Sequence, residues 1–146
     1  MGPLSTLIVT LAACSVHIGV LPVEGAWSIG AVSAPVAEPE VDGWVRDGLV
    51  DALAARRALA SGGPVLSAVV TEASWTPARR GGDVLLYEAR LTVRVEGGGK
   101  VVTRTRTGSV VDPGSAGEGR ALREKMFRGL ARQVADDAVT WLLTPG

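Results

Sequence analysis

From Tyr87 to Glu96 the chain alternates without a fault. Tyr87, Ala89, Leu91, Val93 and Val95 fall on one side, and Glu88, Arg90, Thr92, Arg94 and Glu96 on the other. A period of two marks a strand with one face buried and one wet. Gly97, Gly98 and Gly99 read as its turn, and Lys100 to Val111, "KVVTRTRTGSVV", as the returning strand. With all three glycines in the loop, Glu96 pairs with Lys100 and Val95 with Val101. That register sets Arg90 opposite Arg106, with Arg94 and Arg104 beside them on one solvent face, and puts Thr103, Thr105 and Thr107 on the other face as partly buried β-formers. Like charges facing each other across a strand pair are unfavourable. Either these long side chains splay into water, screened by Glu88 and Glu96, or the four arginines form an anion site for phosphate or carboxylate groups.

The rest of the chain supplies the partners of this hairpin. Ala26 to Val36 is small, apolar and β-compatible and reads as a first strand. Pro39 opens a helical pattern in which Val41, Trp44, Val45, Gly48, Leu49, Ala52 and Leu53 recur at spacings of three and four. Its end is expected near Ser61-Gly62-Gly63, before Pro64. Val65 to Trp75 is rich in β-branched residues and reads as a second strand, followed by the loop "TPARRGGD". A long closing helix is expected over Glu118 to Leu143, with Leu122, Met126, Leu130, Val134, Ala138, Trp141 and Leu142 as its apolar stripe and Arg120, Arg123, Lys125, Arg128, Arg132, Asp136 and Asp137 outside. The order β-α-β-β-β-α predicts an α+β two-layer sandwich: a four-stranded mixed sheet with two helices packed on one face.

Composition adds constraints on class. The chain has 146 residues, 47% of them hydrophobic, and 15 basic residues balance 15 acidic ones. That length suits one domain, and the balance gives no sign of a nucleic-acid binder. No charged residue occurs from Met1 to Val23, however, and the only cysteine, Cys14, lies in that stretch. A lone thiol with only His17 nearby is neither half of a disulfide nor a zinc site. It is a buried spectator, a nucleophile, or a residue that is chemically modified. Leu4 to Ala13 is about half of the roughly 20 residues that a spanning helix needs. Leu11-Ala12-Ala13-Cys14 resembles the bacterial lipobox, in which small residues permit cleavage and the thiol receives lipid. The resemblance implies a signal peptide over residues 1–13, a lipidated segment over 14–25 and a single sandwich domain over 26–146. Cys14 would carry a diacylglycerol and an N-acyl chain. Ser15, in place of the Asp that retains such proteins at the inner membrane, points to the outer membrane. The absence of a Lys or Arg after Met1 departs from the usual secretory pattern.

Catalysis finds little footing. The acidic residues on the helices read as solvated charge, His17 lacks a relay, and "GGG" lacks the flanking residues of a phosphate-cradling loop. The chain is therefore expected not to be an enzyme, and no cofactor is expected beyond the acyl groups on Cys14. Three local pieces resemble the LPS-assembly lipoprotein (LptE) family, the plug partners of the outer-membrane lipopolysaccharide translocon. They are "CSVHI" (Cys14 to Ile18), "YEARLTVRV" (Tyr87 to Val95) and "EKMFRGLARQVADDAVTWL" (Glu124 to Leu142), together with the same element order.

The resemblance implies a noncatalytic protein on the periplasmic face of the outer membrane, lipid-anchored. It would assist an LptD-like β-barrel in assembling and in receiving lipopolysaccharide. Family members carry a basic residue between the second and third strands that contacts lipopolysaccharide, a role that falls by position on Arg80, with Arg79 beside it. A guanidinium grips a phosphate through two charge-assisted hydrogen bonds. Arg90, Arg94, Arg104 and Arg106 on the hairpin are the further lipopolysaccharide-binding candidates. Some members have a second basic residue before the last helix, where Pro113 to Gly119 here offers only Glu118. Two rival readings stand beside this one: a pilotin-like or other envelope-assembly lipoprotein that binds a peptide at a sheet edge, and a cytoplasmic sandwich whose leader is a strand.

Overall fold

The computed structural model describes residues 26–36, 38–79 and 85–144. The expectations that fall on Cys14, on His17 and on Arg80 lie outside the described residues. The elements follow the expected order: β1 (Ser28–Ser33), α1 (Val41–Ala55), β2 (Val65–Arg79), β3 (Leu85–Gly97), β4 (Lys100–Val111) and α2 (Ala116–Leu143). The sheet runs β1-β2-β3-β4. β1 is parallel to β2, joined through α1, and the other two pairs are antiparallel.

Both helices cover one face of this mixed sheet. Val41, Val45, Leu49 and Leu53 of α1 and Phe127, Leu130, Val134 and Val139 of α2 bury themselves on Leu66, Ala68 and Val70 of β2 and on Leu91, Val93 and Val95 of β3. Gly48 lets the helices approach: a Cβ there would lie 3.0 Å from the Ala131 carbonyl oxygen. The buried stripe of α2 is broader than the expected one: Phe127, Ala131, Ala135 and Val139 join it. At the ends of the helix Leu122 is only half-buried and Trp141 is 41% exposed.

The boundaries of α1, β2 and the hairpin turn depart from the pattern-based reading, each for a physical reason. β1 and α1 are shorter than expected. α1 stops at Ala55 because Arg57 adopts φ 55° and closes the helix. Ala58 N–H bonds Leu53 O at 2.8 Å and Arg57 N–H bonds Ala54 O at 3.0 Å, the paired bonds of a Schellman cap with arginine in the position glycine usually takes. The chain then runs back beside Trp27, which exchanges bonds with Ala58 and Ala60.

β2 continues through Thr76 and Pro77 to Arg79, so most of the expected loop is strand. β1 pairs only as far as Val69. Beyond it β2 has, among the described residues, a free side, where a proline without an N–H is tolerated. The register also shifts between Val70 and Glu72. This bulge turns Ala73 and Trp75 to the helix side after Leu66, Ala68 and Val70, and so breaks the alternation in the sequence.

The third correction is the register of the hairpin. Gly97 pairs with Lys100, Glu96 with Val101 and Val95 with Val102, leaving a two-residue turn. Gly98 and Gly99 have φ of 59° and 79°, the positive values a type I′ turn requires. A slip of one residue moves every side chain of a strand to the other face. Arg104 and Arg106 therefore stand opposite Val93 and Leu91 on the helix side, whereas Arg90 and Arg94 face Thr107 and Thr103 on the open side. Thr103, Thr105 and Thr107 are exposed, not partly buried.

Candidate functional site

The corrected register dissolves the expected cluster of four arginines. Two lie on each face of the sheet, and three are neutralised: Arg90 by Glu72 at 2.8 Å, Arg94 by Glu96 at 3.6 Å, and Arg106 by Asp137 of α2. Arg104 turns its guanidinium onto the Thr103 carbonyl oxygen at 3.1 Å. The like-charge conflict of the predicted pairing does not arise. The open face is instead a lattice of hydroxyls and compensated charges. Thr92 donates to Glu72 at 3.1 Å and shares a 2.9 Å bond with Thr105, while Ser74, Thr76 and Ser109 extend the same wet surface.

The other expected site falls at the end of the sheet where β2 finishes and β3 begins. The backbone of Arg79 pairs with Leu85 there, closing the hairpin that carries the expected lipopolysaccharide-contacting residues. Four aromatic rings run through this end. Trp44 of α1 stacks on Phe127 at 6.5 Å between centroids, Phe127 meets Trp75 at 6.2 Å, and Trp75 stacks on Tyr87 at 5.0 Å with planes 14° apart. Such spacings suit offset or tilted aromatic contact. The ladder ties both helices to the sheet and leaves Trp75 and Tyr87 at the wall of an open cleft.

That cleft, about 450 Å³, is lined further by Asp112, Ser115, Arg120 and Arg123. Asp112 and Gly114 form the turn into α2, with the Gly114 N–H donating to Asp112 Oδ1 at 3.0 Å. Ser115 caps the helix, its Oγ accepting from Glu118 N–H at 3.3 Å. Arg123 is committed to structure. Its Nε donates to Glu38 Oε2 at 3.0 Å, and the Glu38 side chain is only 5% exposed. Arg120 is different: it is exposed, lines this cleft and a neighbouring one of about 480 Å³ beside Trp44, and has no ion pair among the described residues.

A bacterial minor lipoprotein shares this fold. The minor lipoprotein from Acinetobacter baumannii superposes with a TM-score of 0.51 at 16% identity, over 82% of this chain and 92% of its own. A candidate lipoprotein from Caulobacter crescentus CB15 gives a TM-score of 0.56 at 18% identity, over 81% and 93%. The rare lipoprotein B from Shewanella oneidensis gives 0.47 at 14%, over 79% and 92%. The sequence matches no family model and no curated protein.

Sequence reading missed two features of this end. In the sequence Arg120 is one of many solvated helix charges, because only the turn at Asp112 to Ser115 aims the start of α2 at Trp75 and Tyr87. The aromatic ladder joins rings distant along the chain and leaves no local signal. Among the described residues no group of three or more His, Cys, Asp or Glu stands close enough to hold a metal ion, and no helix is long and apolar enough to cross a membrane.

Proposed function

We propose that this chain is a lipid-anchored protein of the outer membrane that acts as a noncatalytic plug and assembly partner of the lipopolysaccharide-translocon β-barrel. The observation that carries the reading is the one-sided sandwich. Both helices bury one sheet face, and the other is, among the described residues, an uncovered lattice of hydroxyls and paired charges. Such a wedge has a polar surface matched to the polar interior of a large barrel. The fold shared with bacterial lipoproteins supports it, as does the lipobox-like sequence ending at Cys14. Acyl chains on Cys14 contribute about 0.8 kcal/mol per buried methylene, so a fully acylated thiol holds the domain firmly on a bilayer.

Within this reading Arg79 and Arg80 meet the lipid A phosphates at the β2–β3 end, with Arg120 close to the same end. The hairpin arginines contribute little, because three of the four already have carboxylate partners. The test is purification of the tagged chain from native outer membranes. The expected result is a stoichiometric β-barrel of translocon size, and lipopolysaccharide affinity that falls when Arg79 and Arg80 are replaced by Ala. Recovery of a secretin or another envelope component in its place overturns the proposal.

A further inference from the structure

Among the described residues β4 is an edge strand of unusual openness. It runs twelve residues with no proline, and its pairing with β3 has no register shift. The opposite edge is guarded as natural sheets are: β1 has six residues, a register shift between Ile29 and Val32, and Pro35 just beyond it. The direction of the β4 backbone groups follows from one bond. Asp112 N–H donates to Leu85 O at 2.9 Å, so those two residues form a hydrogen-bonded pair. Alternation along the ladder then turns the backbone groups of Val102, Arg104, Arg106, Gly108 and Val110 toward β3. Those of Val101, Thr103, Thr105, Thr107, Ser109 and Val111 point outward. The Thr103 carbonyl, bonded by Arg104, is the one outward group with a partner among the described residues.

A groove lies along this edge. α2 runs beside β4, and between them is a cleft of about 620 Å³ lined by Arg104, Thr105, Arg106, Asp137, Thr140 and Trp141. The acids that line it are neutralised, Asp137 by Arg106 and Asp136 by Arg56 at 2.8 Å. Trp141 offers an exposed ring, with Lys100 Nζ 5.7 Å from its centroid. Lys100, Arg104 and Arg106 are the only charged residues of β4. A strand added here would place alternate side chains in the groove, next to the guanidinium of Arg104, which has no carboxylate partner among the described residues.

The geometry points to β4 as a strand-addition site that takes an extended segment of a partner protein carrying carboxylates at alternate positions. Main-chain bonds to the outward groups supply the docking, and Arg104, released from Thr103, reads the acid. A second copy of this chain paired about Thr105, the middle of the outward row, sets Arg104 against Arg106 twice, a disfavoured register that an acidic segment avoids. The site stands apart from the lipopolysaccharide reading of the β2–β3 end and does not depend on it.

The test uses the full mature chain and a short capped, labelled peptide in which Glu alternates with Thr, with a Lys-for-Glu counterpart, followed by fluorescence anisotropy. The Glu peptide is expected to bind at least about tenfold tighter at low salt, an advantage that Arg104→Glu removes or reverses. Thr105→Pro deletes the outward N–H together with the hydroxyl that bonds Thr92, so Thr105→Val, which loses the hydroxyl alone, is its control. Thr105→Pro is expected to keep the unfolding midpoint of Thr105→Val and to bind the peptide about tenfold or more weaker than Thr105→Val does. The proposal is overturned if the two peptides bind alike, if Thr105→Pro binds as Thr105→Val does, or if Arg104→Glu keeps the original preference. A Thr105→Pro chain that does not fold also overturns it, since the Thr105 N–H would then belong to the internal ladder.

Discussion

Truncating Phe127 to Ala tests the packing that gives the molecule its shape. The ring is wholly buried and stands between Trp44 of α1 and Trp75 of β2, so one side chain joins both helices to the sheet. Removing a buried phenylalanine ring costs about 3–5 kcal/mol. Aromatic contacts contribute about 0.5–1.5 kcal/mol each beyond area burial, which places the expected loss near the upper part of that range, about 4 kcal/mol. Against a total stability of about 5–15 kcal/mol this is a large fraction. With a urea slope of roughly 1.5 kcal/mol per molar, the midpoint falls by about 2–3 M. Phe127→Leu keeps most of the volume and is expected to lose only about 1–1.5 kcal/mol. Equilibrium urea unfolding followed by far-ultraviolet circular dichroism reads both. A loss below about 1.5 kcal/mol for Ala, or equal losses for Ala and Leu, would refute the placement of the ring between the two tryptophans.

Two further substitutions probe the backbone. Arg57→Gly relieves a left-handed residue in the cap of α1 and is expected to stabilise the chain by about 0.5–1 kcal/mol in the same unfolding assay, whereas Arg57→Ala gains nothing. Gly98→Asn, ordinarily favourable in a type I′ turn, is expected here to cost about 1–3 kcal/mol, because a Cβ at Gly98 would lie 2.7 Å from the Trp27 ring. Gly99→Asn separates space from backbone: no described atom lies within 4 Å of a Cβ there, so only the strain of its φ of 79° remains, and the change is expected to cost about 0.5–1 kcal/mol in thermal unfolding, less than Gly98→Asn.

The elements that a reader of the sequence can see are those whose signals are local. The alternation from Tyr87 to Val95 and the stripe from Val41 to Leu53 each bury one continuous face, so β3, α1 and the element order were legible. The features that were not legible depend on contacts distant along the chain. Pro77 reads as a breaker until β1 is seen to end before it, leaving β2 a free side. Arg57 does not look like a helix stop, because its cap is a conformation and not a residue type. The hairpin register turned on whether Gly97 belongs to the loop or to the strand. Gly97 has no side chain to decide the question by pattern; its place is set by Leu66 and Trp27, which leave no room for a Cβ. That single residue split the four arginines between two faces. At the β2–β3 end the sequence nominates Arg79 and Arg80 only through a resemblance, and Arg80 lies outside the described residues, while Arg120 and the ring ladder needed the fold.

The account rests most on the chemical state of Cys14, and intact-mass and peptide mass spectrometry of the chain purified from its native envelope measures that directly. The predicted product begins at Cys14 and carries a diacylglycerol and an N-linked acyl chain, with unprocessed precursor accumulating when the lipoprotein signal peptidase is inhibited by globomycin. A mature chain that still begins at Met1, with a free thiol at Cys14, contradicts it.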